Sequence, residues 1–149
     1  MRDALIPALQ VLAPQRVGSP SDLHIGVVFT DFENTRVALK AAASLSAGLE
    51  AEIDLVVPQI VPFPLPLARP AVPPGFTLQR LRGLVVAAGV QPSIYIYFCR
   101  DRLQTLLQVL EPHSVIVVGS RKRWFPTQHE RLARALCKNG HDVILARWP

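Results

Sequence analysis

The densest cluster of chemistry-bearing residues is Gly119-Ser120-Arg121-Lys122-Arg123. An unbroken apolar run, Val115 to Val118, precedes it, and Thr127-Gln128-His129-Glu130 follows. The run suits a strand buried on both faces, ended by Gly119 and Ser120. The second segment reads as a capping box: the Thr127 hydroxyl caps the amide three residues on, and Glu130 reaches back. Three cations between a strand end and a helix N-terminus favour an anion, because the dipole and the open amides add to their charge. A phosphate-containing ligand held by side chains is one account. A plain solvated loop is the other, since the loop holds one glycine and no backbone cradle. Trp124 and Phe125 suit packing on the core or on a partner chain rather than stacking on a base.

Other reactive side chains give less. Cys99 ends a predicted strand beside Arg100 and Arg102, but no histidine is placed near it to act as a base. A buried structural role is expected for Cys99 and for Cys137. Neither a Gly-x-Ser-x-Gly turn nor a Walker A loop is present. The paired acids of a phosphorylated receiver are missing too: Asp31 follows the first strand, but the third ends without an Asp.

The elements that must position these residues alternate strictly. Strands are predicted over 24–30, 52–57, 93–99, 115–118 and about 142–146. Helices are predicted over about 35–47, 77–88, a third capped by Asp101 and ended by Pro112, and a fourth after Thr127. Ala38, Ala41, Ala42, Leu45 and Leu49 give the first helix a small-residue face, and Gly48 is its natural stop. Gly26 inside the first strand predicts close approach of a neighbouring element. Between 58 and 75 the pattern changes. Seven of the chain's 14 prolines lie there, from Pro58 to Pro74, which excludes helix and central strand and predicts an extended surface excursion. It reads as a stiff connector or as a partner-docking arm. The whole is α/β: a single doubly wound, five-stranded parallel sheet with helices on both faces and right-handed crossovers.

At 149 residues, half of them hydrophobic and 18% charged, the chain can bury a full core and is not disordered. It divides into a tail or linker over 1–22, punctuated by Pro7, Pro14 and Pro20, and a domain over 23–149. No apolar run approaches the roughly 20 residues of a membrane helix, so no membrane insertion is expected. Two cysteines make no disulfide framework, which favours a cytoplasmic setting. Residues 1–99 carry seven basic and seven acidic side chains, whereas 100–149 carry nine and four, so the net charge of +5 lies wholly in the last third. That excess reads as a solvated basic face or an anion site. No nucleic-acid partner is expected, because no basic stripe with interleaved aromatics is present.

With its elements placed, the chain resembles the universal stress protein family over about residues 23–147. Val27–Leu39 is similar to the family's first strand, its Asp-Gly-Ser-Glu-Asn-Ser loop and the following helix. Val115–Arg123 is similar to its hydrophobic strand and Gly-Ser/Thr-Arg-Gly-Arg, and Leu132–Ala146 to its last helix and strand. The resemblance implies a sheet ordered 3-2-1-4-5 and a homodimer paired through the last strand, here Val143, Ile144 and Leu145. It implies a ligand site at Thr30, Asp31, Val57, Gly119, Ser120, Arg121, Lys122 and Arg123. Nucleotide-binding members follow the fourth strand with Gly-x2-Gly-x9-Gly-Ser/Thr. Here the next glycine of that pattern falls on Lys122, none follows before Gly140, and the loop is shorter. Thr30 aligns where the family has its acid, with Asp31 one place later.

These departures imply a member without the usual ATP cradle: a non-catalytic binding and dimerisation domain, needing no cofactor, with a protein partner at the proline arm as a further expectation. Two alternatives stand beside it. One is an adenine-nucleotide-binding stress protein holding ATP or AMP between Thr30/Asp31 and Gly119/Ser120. The other is a regulatory soluble domain related to membrane transporters. In the implied order, His24, His113 and His141 share the edge opposite the ligand edge. Their spread, without supporting Asp or Cys spacing, reads as surface histidine rather than zinc. His129, in the capping box, is expected to be exposed.

Overall fold

The structure, a computed structural model, describes residues 23–67, 74–122 and 127–149, and the backbone of 6–11. Five parallel strands form the centre: β2 (His24–Val28), β3 (Glu52–Ile60), β4 (Ser93–Cys99), β5 (Val115–Arg121) and β6 (Asp142–Trp148). Their order is β4-β3-β2-β5-β6, the order that the resemblance implies. Four helices connect them: α1 (Phe32–Leu49), α2 (Pro74–Ala88), α3 (Arg102–Val109) and α4 (Gln128–Lys138).

Strand parity sorts the side chains into two cores. Ile25, Val27, Leu55, Val57, Ile94 and Ile96 face α1 and α2, where Ala38, Leu39, Ala42 and Leu81 meet them. Val28, Val56, Ile116 and Val118 face α3 and α4, against Leu106, Leu132 and Leu136. Burying one such aliphatic side chain contributes about 1.5–3 kcal/mol.

Four local departures from the sequence reading have physical causes. Ile6–Val11, in the segment read as a tail, forms an outer strand, β1, antiparallel to β4. Its position at the sheet edge and a register irregularity between Pro7 and Leu9 accommodate Pro7 there. Second, β3 is a central strand and yet runs through Pro58, which pairs with Tyr97. The ladder of β3 with β2 ends at Val56, whose carbonyl accepts from Phe29 N–H, while Val61 N–H turns the other way to Cys99 O. By alternation, the amide that Pro58 lacks would point to the side where β2 has already finished. Pro74, similarly, opens α2, where an amide has no helical acceptor.

Third, Gly48 lies inside α1, and Glu50, at φ 52°, takes the left-handed cap. Fourth, β5 continues past Gly119 and Ser120 to Arg121, because β6 extends to Trp148 and keeps the ladder supplied. Gly26 behaves as expected: a Cβ there would lie 2.8 Å from Ile116 Cδ1. Of the proline arm, residues 58–67 and 74–75 are described. Arg100 ties the former down through Val61 O (2.7 Å) and Leu65 O (2.6 Å).

Candidate functional site

The chain order reverses between β2 and β5, and ligands of such sheets sit outside the carboxyl ends of the strands at that point. Thr30 and Asp31 follow β2 there, and Gly119 and Ser120 end β5. The first turn of α1 occupies the gap. A Cβ on Gly119 would fall 1.9 Å from the Asn34 carbonyl oxygen and 2.6 Å from its carbon. Gly119 is thus bare because a helix backbone lies on it.

The acid beside this contact is used within the fold. Asp31 caps α1 by accepting from Asn34 N–H (2.8 Å), and its other oxygen accepts from Asn34 Nδ2 (2.6 Å). The same amide nitrogen donates to His129 Nδ1 on α4 (3.1 Å), which places the imidazole proton on Nε2, 3.8 Å from Asp31. Trp148 Nε1–H, from β6, donates to Asn34 Oδ1 at 2.5 Å. One buried amide therefore joins α1, α4 and β6. Burial lowers the His129 pKa; Asp31 opposes that shift and Arg102 reinforces it. His129, expected to be exposed, is half-buried because this network holds it.

Thr30 N–H donates to Thr35 Oγ1 (3.1 Å), and its own hydroxyl oxygen is buried with no hydrogen-bond partner. Ser120 is fully buried, its hydroxyl 3.0 Å from Thr127 Oγ1, and Thr127 accepts from Glu130 N–H to cap α4. The expected serine thus joins the end of β5 to the helix cap. Arg121 lies over the Trp148 ring at 5.2 Å, and Lys122 N–H donates to Trp148 O (2.8 Å). Both cationic side chains are exposed. Arg123, Trp124 and Phe125 lie outside the described residues.

Val57 belongs to a different part of this edge, on the far side of β2. Phe29, Phe32, Val57, Phe76 and Arg80 line a cavity of about 280 Å³ there. Phe29 and Phe32 meet edge to face, 5.1 Å between centroids, and the Arg80 guanidinium lies 4.2 Å from the Phe32 centroid. The candidate residues therefore separate into a filled polar half at β2/β5 and an open aromatic half at β2/β3. No protein-family model matches the chain, and no curated protein matches it.

The remaining reactive groups are engaged locally. His113 Nδ1 is 3.1 Å from Gly140 O, and His141 Nδ1 is 3.2 Å from Ser114 Oγ. His24 sits beside Asp54 and Glu52. Among the described residues, no three His, Cys, Asp or Glu side chains converge as a metal site would require. Cys99 is buried, and burial raises its thiol pKa, with Asp101 adding to the rise and Thr105 and Arg102 opposing it. Cys137 is exposed, contrary to the buried role expected, because α4 turns Ala133 and Leu136 inward instead.

Asn34, His129 and Trp148 are the residues that sequence reasoning missed. Trp148 lies 114 positions from its partner, and no local pattern signals such a pair. The nearest hint was Asn34 itself, three residues after a capping Asp.

Proposed function

We propose that the chain is a universal-stress-like domain that works by binding and dimerisation, without catalysis and with its nucleotide site closed on the phosphate side. The observation that carries this reading is the contact of Gly119 with the Asn34 backbone. A triphosphate cradle needs free amides and open space beyond the strand end. Here a helix turn takes the space, and Asp31 is committed to its cap.

Dimerisation through β6 is supported by its place at the end of the sheet and by Ile144, which is 38% exposed. Val143 and Leu145 pack inward and would hold that edge rigid. A protein partner at the proline arm is supported by Phe63, 85% exposed on a segment anchored by Arg100. No helix among the described residues is long and apolar enough to cross a membrane. We read the setting as cytoplasmic from the two unpaired cysteines. A regulatory domain related to transporters is a special case of the same binding role.

The nucleotide-binding alternative draws its support from the cavity beside Val57, where aromatic side chains and Arg80 suit a flat ring. AMP, with one phosphate to place, fits this half-open edge better than ATP. Light scattering after size exclusion, with and without millimolar nucleotide, tests the proposal. A dimer unaffected by either nucleotide supports it. A monomer, or assembly that requires ATP, refutes it.

A further inference from the structure

The opposite edge of the sheet carries a second cavity that the resemblance does not account for. β4 has seven residues and α3 only eight, so the strand spans about 23 Å and the helix about 12 Å. α3 therefore roofs only part of the face it lies on, and residues 110–114 carry the chain back to β5. The amino-terminal halves of β2, β3 and β4 stay open beneath that return. The groove so formed has a volume of about 440 Å³, within the range of small-ligand sites.

Its floor is apolar and its wall aromatic. Val56 and Ile116 are buried in the floor, and Leu110 closes one side. Tyr95 and Tyr97, two apart on β4, stand half-buried on the same face. Among the described residues neither phenol hydroxyl has a hydrogen-bond partner. Burial, with Tyr95 and Asp54 nearby, raises the Tyr97 pKa, so its hydroxyl stays protonated and can both donate and accept.

The ionisable groups of the groove are engaged or screened. Asp54 lies 2.9 Å from His24 Nδ1, and His113 Nδ1 lies 3.1 Å from Gly140 O. Glu111 is exposed, where water screens its charge. Among the described residues no Lys or Arg lines the groove. A charged ligand would shed its water here without meeting a buried counter-charge in need of one.

We propose that this groove binds a small uncharged aromatic molecule bearing a hydroxyl group. Its ring lies between the tyrosine faces and the aliphatic floor, in the offset or edge-to-face contacts that aromatic pairs favour. Its hydroxyl exchanges hydrogen bonds with Tyr95 and Tyr97. A hydrocarbon of the same shape displaces the water on those phenols and gives nothing back. The site is independent of the nucleotide edge and stands whether or not that edge binds AMP.

Isotope-edited NMR titration of the intact chain at neutral pH with 2-naphthol, naphthalene, 2-naphthoate and 2-naphthylmethylamine tests this. The ring system is constant, while the substituent is a hydroxyl, absent, an anion or a cation. 2-Naphthol should shift the amides of Gly26, Val56, Tyr95, Tyr97 and Leu110. It should bind about tenfold more tightly than the other three, the factor that one or two net hydrogen bonds supply. A Tyr95→Phe/Tyr97→Phe double variant keeps both rings and should hold 2-naphthol no better than naphthalene. Phe76→Ala, beside the other cavity, should leave the affinity unchanged. Equal affinity for naphthol and naphthalene overturns the proposal, as does tighter binding of either charged analogue. Shifts confined to the cavity beside Val57, or no binding of naphthol, overturn it too. The ranking of the four probes is read on the unsubstituted chain, so it decides the matter even where a variant fails to fold.

Discussion

The indole N–H of Trp148 donates to the side-chain oxygen of Asn34 at 2.5 Å, tying the last strand to the first helix across the mouth of the sheet. Replacing a buried donor or acceptor leaves its partner unsatisfied, which costs about 1–3 kcal/mol. Trp148→Phe should therefore lower stability by about 1–2 kcal/mol. Asn34→Ala should cost about 2–3 kcal/mol, because Asp31 and His129 lose the same amide. Urea unfolding followed by circular dichroism measures both. The double variant should lose less than the sum of the two, since they share one bond; strict additivity would show that the pair is not coupled.

Two glycines should respond in opposite directions to alanine. At position 119 the new methyl meets helix backbone, which cannot rotate away, so Gly119→Ala should cost about 3 kcal/mol or more and lower the melting temperature by roughly 6–12 °C. Gly48 lies within α1 with nothing inside 4 Å of its would-be Cβ. Gly48→Ala should raise stability by about 0.5–1 kcal/mol. Calorimetry on the two variants checks both signs.

His129 makes stability depend on pH. Its pKa is lower in the folded chain than the ordinary 6.5, chiefly through burial. The unfolded chain therefore takes up the proton first as pH falls. The contribution of the neutral ring is complete above 6.5 and is lost as pH drops from there toward the folded value. Denaturant midpoints at pH 7.5 and 5.5 should fall further apart in the native chain than in His129→Gln, with the difference confined to this window. Identical slopes would remove His129 from the network.

If the dimer forms through β6, Ile144→Lys should yield monomers by light scattering with little change in melting temperature, because the side chain is partly exposed in the single chain. A dimer that survives this charge would place the interface elsewhere.

The alternation of elements was legible because each carries its own period. Val115–Val118 reads as a doubly buried strand, and Asp31, Asp101 and Thr127 are readable as helix caps, each confirmed by a bond to the third following amide. The sheet order followed from the resemblance. What stayed illegible depends on neighbours. Pro58 sits in a central strand only because β2 stops short on its open side. Gly119 looked like the remnant of a phosphate loop, and only the fold reveals the Asn34 backbone against it. The groove over Tyr95 and Tyr97 depends on α3 being too short for the sheet, which no residue in the groove announces.

The central claim is that the phosphate half of the ligand edge is closed by α1. Thermal melting of the chain with and without millimolar magnesium-ATP tests it most directly, since a ligand at one hundred times its dissociation constant adds about 2.7 kcal/mol to folding. An unchanged melting temperature is the expected result. A rise of several degrees would mean that the triphosphate finds amides despite the Gly119–Asn34 contact, and the claim would fail.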